Sequence, residues 1–194
     1  MARFLKKIDR KLGQSPGTVT FVGQRHMDRP RVTCIEYGAE TLREESSEAL
    51  NELDCDQGEG RVLWLNVDGL HDVTLIEKLG QQHGLSSLVL EDVVDTGRRP
   101  KMDDYEDYAF ISLRMLSLSE ENQVQAEALG IVVFKDRVLT FQERSGDVFD
   151  PVRTRLRRSR GRIRQRGGDL SGLRADGLGG GELYQGNRGA RRTN

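Results

Sequence analysis

Runs rich in β-branched and alternating polar residues over positions 18–22 and 31–37 predict two half-buried strands. Positions 41–53 read differently. Leu42, Ala49, Leu50 and Leu53 recur near one helical face and glutamates fill the rest, so a helix is expected there. A loop over 56–60 leads into 61–67, whose nearly unbroken apolar run predicts a mostly buried strand. Asp72 stands where a helix N-cap belongs, ahead of Val73, Leu75, Ile76 and Leu79, with the helix expected to run to Gln82. Ser86 is placed to cap a second helix bearing Leu88, Val89, Leu90 and Val93, which the Arg98-Arg99-Pro100 step ends. Three more strands are expected over 108–118, 126–134 and 137–142, the last two joined as a hairpin by Lys135-Asp136. Positions 147–166 predict a long helix with Val148, Val152, Leu156 and Ile163 as a sparse apolar stripe. Strands and helices therefore interleave, which predicts a mixed β-sheet with helices packed on its faces: class α/β.

Composition narrows the function classes. The chain has 194 residues, 36% apolar and 31% charged, a balance that suits one globular domain. Its longest apolar run is 128–134, far short of the roughly 20 residues a membrane helix needs. The first residues are too poor in apolar side chains for a signal peptide, so a cytoplasmic location is expected. The net charge of −1 hides a gradient. Positions 1–152 carry 18 basic and 28 acidic residues, whereas 153–194 carry 12 basic and 3 acidic ones. Cys34 and Cys55 show no paired spacing and are expected to be a strand filler and a loop thiol rather than a disulfide or zinc pair.

Several motifs point to a known family. They are Trp64-Leu-Asn-Val-Asp-Gly-Leu-His71, Leu88-Val-Leu-Glu91-Asp92, Arg99-Pro100-Lys101, Tyr105-Glu-Asp-Tyr108, Leu139-Thr-Phe-Gln-Glu143 and Gly146-Asp-Val-Phe-Asp-Pro-Val-Arg153. Between about Lys11 and Asp169 the chain resembles the cytoplasmic domain of the CorA family of magnesium and cobalt channels. The resemblance implies an α/β/α sandwich, Mg2+ and also Co2+ as the relevant ions, and a homopentameric full-length parent in the inner membrane. It also implies that Glu91 and Asp92 help form a regulatory Mg2+ site between neighbouring subunits. Hard carboxylate oxygens suit Mg2+, which keeps most of its waters and needs only one or two of them. The family's partner acids, its two transmembrane helices and its Gly-Met-Asn pore signature are absent from this sequence, so a weak site and no conduction are expected.

The sequence divides into an N-terminal segment 1–14, a CorA-like unit 15–166 ending in an arginine-rich helix, and a glycine-rich tail 167–194 expected to be disordered. Eight of the fourteen residues from Arg153 to Arg166 are arginine. Such a helix can contact phosphates or anionic lipid, but the acidic body offers intramolecular partners, and that reading is preferred over nucleic-acid binding. Asp103, Asp104, Glu106 and Asp107 fit no EF-hand spacing and are expected at a solubilising strand edge. His71 is expected in a turn, and His26 and His83 have no partner nearby in sequence. No nucleophile elbow, phosphate loop or dinucleotide fingerprint occurs, so no enzyme is expected. The sequence thus reads as the regulatory, Mg2+-sensing domain of a CorA-like channel, with a standalone soluble cation-sensing or partner-binding module as the alternative.

The tail carries a reading of its own. Residues 169–175 can be spelled in codons so that deleting one base gives Asp-Tyr-Leu-Ala-Tyr-Ala-Leu, the motif that follows the arginine-rich helix in this family. A one-base insertion near codon 170 is therefore expected. Sequencing the gene through that codon checks it: a one-base shift should restore the motif and open a frame encoding a Gly-Met-Asn helix pair.

Overall fold

A computed structural model describes residues 19–55, 58–119, 121–158 and 164, and the backbone of 182–184. In chain order the elements are β1 (Arg31–Tyr37), β2 (Leu42–Ser47), β3 (Val62–Asp68), α1 (Val73–His83), α2 (Ser87–Val94), β4 (Lys101–Asp104), β5 (Tyr108–Leu118), β6 (Val124–Phe134), β7 (Arg137–Gln142), α3 (Asp150–Arg157) and β8 (Glu182–Tyr184). The sheet runs β2-β1-β3-β7-β6-β5-β4, and β8 pairs with β5. Neighbours are antiparallel except β3–β7 and β5–β8, which are parallel. This is the mixed sheet that the interleaved pattern predicts.

All seven residues of β3 are buried, because both faces of the sheet are covered. On one face Val32, Leu65 and Val67 meet Ile76 and Leu79 of α1 and Val89 and Val93 of α2. On the other, Ile35, Trp64, Ile131 and Val133 meet Leu156 of α3. The helices start where the sequence places them. Asp72 accepts the Leu75 amide at 3.0 Å and Ser86 accepts that of Leu88 at 3.3 Å, each filling an orphan donor of a first turn. Gly84 ends α1 in the left-handed region with φ 69°, which a Cβ would strain. Val133 pairs with Val138 across Lys135-Asp136, closing the expected hairpin.

Three expectations need correction. Positions 41–53 hold β2 and a single 3₁₀ turn at Leu50–Glu52, not a helix. Here a partner strand overrides periodicity. β2 pairs with β1 over six residues, the Thr33 and Ser46 hydroxyls hydrogen-bond at 2.9 Å, and the outer edge of β1 gains its ladder. In the second, 18–22 forms no ladder strand: the described part makes one bridge, Val22 to Asp95, while Phe21 packs on the core. The third concerns the arginine-rich helix. It begins at Asp150 rather than 147, since Asp147 turns back to accept the Phe149 amide at 2.8 Å. Positions expected to extend it beyond Arg158 lie outside the described residues, apart from Arg164. The tail 167–194 lies outside them too, except the backbone of β8.

Arg153 docks α3. Its Nη1 and Nη2 donate to the two Asp147 oxygens at 2.6 and 2.5 Å, and its guanidinium lies 4.9 Å from the centre of the Trp64 ring. Trp64 also meets Phe149 edge-on at 5.6 Å. Arg157 reaches across to β2, donating to both Glu44 oxygens at 2.8 and 2.6 Å. Two of the arginines therefore find intramolecular acids, as the charge gradient predicts.

Two outcomes follow from this docking. R153A leaves the buried Asp147 carboxylate without its cation and should cost about 3–5 kcal/mol in urea unfolding, while an R153M/D147L pair should lose far less. The second concerns pH. Hydrogen bonds from Arg157 hold the Glu44 carboxylate below its ordinary value of 4.5, so the native state resists its protonation. The stabilisation is fully present above that ordinary value and is lost as pH falls through the lower folded one. The gap in unfolding free energy between wild type and E44Q, read from urea titration, should be small, under about 1 kcal/mol for so open a pair, and should close in acid.

Candidate functional site: a charged cleft between α2 and β4

The second turn of α2 presents Glu91 and Asp92 side by side, but their environments differ. Asp92 faces inward, its side chain 4% exposed, whereas the Glu91 side chain is 32% exposed. Apolar Val89, Leu90, Val93 and Val94 bury the rest of the helix, so only its rim stays wet. Past the helix the chain turns at Asp95, whose Oδ1 accepts the Gly97 amide at 3.0 Å, and swings Arg98 back over α2.

Arg98 then meets three carboxylates. Nη2 lies 2.6 Å from Glu91 Oε1, Nη1 lies 2.6 Å from Asp92 Oδ1, and Nε lies 3.1 Å from Asp95 Oδ2. The carbonyl of Arg98 accepts from Arg114 Nη2 at 2.9 Å, which anchors the turn to β5. Lys101, the first residue of β4, places Nζ 2.5 Å from the other Asp92 oxygen and 2.6 Å from Asp103 Oδ2. Burial pulls the Lys101 ammonium down, but its hydrogen bonds to Asp103 and Asp92 outweigh this and raise it above the ordinary lysine value. Both Asp92 oxygens are thus neutralised from within the chain.

A cleft of about 560 Å3 opens along this network, lined by Leu88, Glu91, Asp92, Arg98, Lys101, Met102, Asp103, Asp104 and Tyr105. Four carboxylates and two cations line it, so acids outnumber cations along the cleft. Tyr105 stacks on Tyr108 at 4.6 Å and forms one wall. Among the described residues no three or more His, Cys, Asp or Glu side chains are grouped to hold a metal ion. The donor set fits Mg2+ in kind, since it offers hard oxygens, but Arg98 and Lys101 already hold both oxygens of Asp92 and one of Glu91.

Glu91 and Asp92 both line this cleft, and Arg98 holds each of them. The acidic cluster is divided: Asp103 and Asp104 lie on β4, the last strand of the sheet order, and Glu106 and Asp107 lie in the turn to β5. Arg98 and Lys101 were not legible as site residues, because Arg98-Arg99-Pro100 reads as a helix stop. The one signal for them is spacing, with Arg98 three residues after Asp95 and seven after Glu91. β4 itself, Lys-Met-Asp-Asp, has no strand pattern and exists through its ladder with β5. His71 lies in the turn after β3, and His26 finds Glu143 at 3.3 Å from the far end of the chain.

Residues 59–171, more than half of the chain, match the family described as CorA-like Mg2+ transporter protein. The cobalt/magnesium transport protein CorA of Thermotoga maritima is 33% identical over 165 residues, which is 84% of this chain and 47% of that protein. The chain thus spans about half the length of this curated relative. Two solved structures share the fold. Full-length CmaX has a TM-score of 0.55 at 17% identity, over 71% of this chain and 42% of its own. The ZntB cytoplasmic domain of Vibrio parahaemolyticus has a TM-score of 0.50 at 14% identity, over 66% and 51%. With its α/β sheet, its acidic α2 rim and a match across most of the described fold, this chain belongs to the CorA-like Mg2+ transporter family.

Proposed function

We propose that this chain supplies the cytoplasmic, Mg2+-sensing regulatory domain of a CorA-like magnesium and cobalt transporter, with Glu91 and Asp92 as its metal-binding acids. Residues 15–166 form the sensing unit in this reading. The observation that carries it is the double hold on the acidic pair. Arg98 and Lys101 occupy the oxygens a divalent ion would take, in a cleft that still has an excess of negative charge. Bound Mg2+ supplies a compact double positive charge that one or two carboxylates retain through its water shell. Glu91, the more exposed acid, exchanges its guanidinium partner first, and Asp92 follows only when Arg98 and Lys101 both move.

The domain is non-enzymatic, and it works as part of a homopentamer. Leu88 and Met102 support that assembly: they are 51% and 58% exposed, and both rim the cleft. An apolar rim around acids is the surface a neighbouring subunit covers while adding further carboxylates. Conduction needs membrane-spanning segments, and among the described residues no helix is long and apolar enough to cross a membrane.

Calorimetric titration of the chain with MgCl2, against NaCl of matched ionic strength, tests this reading. E91Q should weaken binding, and R98A, which removes the competing cation, should strengthen it by about tenfold or 1.4 kcal/mol. Equal affinity in wild type, E91Q and R98A would remove these acids from metal sensing.

A further inference from the structure

Arg98, the cation that holds the acids of α2, is itself seated by a distant part of the chain. Val22 bridges in parallel to Asp95, just past the end of α2. The Val22 amide donates to the Val94 carbonyl at 2.9 Å. The Val22 carbonyl accepts from the Thr96 amide at 2.9 Å and from the Thr96 hydroxyl at 3.3 Å. Phe21 packs on the core cluster that includes Val89 and Val93 of α2, which anchors the segment. Asp95 is thereby fixed from both sides, and Asp95 aims Arg98. Its Oδ2 lies 3.1 Å from Arg98 Nε, and its carbonyl accepts the Arg98 amide at 3.3 Å.

Gly23 closes the contact. A Cβ there would collide with Thr96 Oγ1 and lie 3.0 Å from Thr96 Cγ2 and 3.1 Å from Phe21 Cζ. Thr96 cannot swing aside without giving up its hydroxyl bond to Val22, and Phe21 cannot without leaving the core. Gly23 is itself exposed, so the demand for a small residue comes from this close approach and not from burial.

We infer that residues 21–23 are a positioning clamp that keeps Arg98 over Glu91 and Asp92 and so sets the affinity of the cleft for Mg2+. The inference rests on the metal-sensing reading above. Arg98 and a divalent ion compete for the same oxygens, so the apparent affinity scales with the fraction of molecules in which Arg98 is off them. Each contact that seats Arg98 lowers that fraction, and the Val22 bridge does so without touching acid or metal. Linkage makes the effect reciprocal: Mg2+ that draws Arg98 away loosens the bridge by the same factor. The segment continues to His26, 3.3 Å from Glu143, and to Met27, whose sulfur accepts from Ser145 Oγ at 3.9 Å. A loosened bridge is therefore felt at the far end of β7 as well.

The full chain is titrated with MgCl2 in a calorimeter, against NaCl of matched ionic strength, as wild type, G23A, G23A/T96A, R98A and G23A/R98A. G23A should bind about threefold tighter than wild type, inside the roughly tenfold gain of R98A. G23A/T96A, which makes room for the methyl, should return to the wild-type value. With Arg98 already gone, G23A should change nothing, because the clamp acts only through Arg98. In the wild-type chain, saturating Mg2+ should speed exchange of the Val22 and Thr96 amides, read by NMR. Unchanged affinity in G23A while R98A tightens would overturn the clamp and leave metal sensing standing. So would an equal shift from G23A with and without Arg98. Mg2+ that leaves both amides as protected as before overturns it too, whatever G23A does. Equal affinity in wild type and R98A removes the metal-sensing reading, and the clamp's role with it.

Discussion

The parallel ladder between β3 and β7 joins Leu63 to Arg137 and Asp68 to Gln142, and the rest of the sheet hangs from its two sides. A parallel pair needs a crossover, and here α1, α2, β4, β5 and β6 all lie within it. β1 and β2 extend the sheet beyond β3, and the β6–β5–β4 meander extends it beyond β7. Hydrophobic burial drives the pairing but does not fix its register. Polar groups inside the ladder do that. Trp64 Nε1 donates to Thr140 Oγ1 at 3.0 Å, Thr140 donates to Asn66 Oδ1 at 2.6 Å, and Asp68 Oδ1 accepts from Asn66 and Gln142 at 2.8 and 2.5 Å. A slip of one residue would leave these buried groups without partners, each at a cost of about 1–3 kcal/mol.

That register has consequences on both faces. Trp64 lies opposite Val138 and turns its ring to the α3 side, where Arg153 and Phe149 pack on it. The opposite face receives α1 and α2, which pack on each other so closely that a Cβ on Gly80 of α1 would lie 2.5 Å from a Leu90 methyl of α2. α2 is thereby held with its inner residues in the core and its Glu91–Asp92 rim beside β4. The acidic cleft is a product of sheet order: β4 reaches α2 only because β5, β6 and β7 stand between it and β3.

Charge follows the same geometry. The basic C-terminal stretch and the acidic body meet in part as ion pairs, Arg153 with Asp147 and Arg157 with Glu44. In the cleft the sign is reversed, since acids outnumber the two cations that hold them. A buried carboxylate such as Asp92 persists there because both of its oxygens are paired, which burial would otherwise make costly.

Much of this was legible in the sequence wherever a residue's role depends on near neighbours. Asp72 and Ser86 cap helices through amides two or three residues on, the Lys135-Asp136 turn joins adjacent strands, and the apolar run at 62–67 needs both faces covered wherever it lies. That Glu91 and Asp92 sit together on a helix was readable because Ser86 caps that helix locally. Other features were not, since their cause lies across the sheet. Leu42, Leu50 and Leu53 have helical spacing, yet β1 claims 42–47 as a strand. β4 has no strand pattern and is drawn out by β5. Arg98 and Lys101 reach the acids of α2 only once a turn folds them over that helix. Periodicity and capping act over one or two turns of chain, so sequence alone determined the elements they govern. Pairing partners and buried charge pairs were decided by tertiary structure, because each needs a second group that the chain supplies from elsewhere.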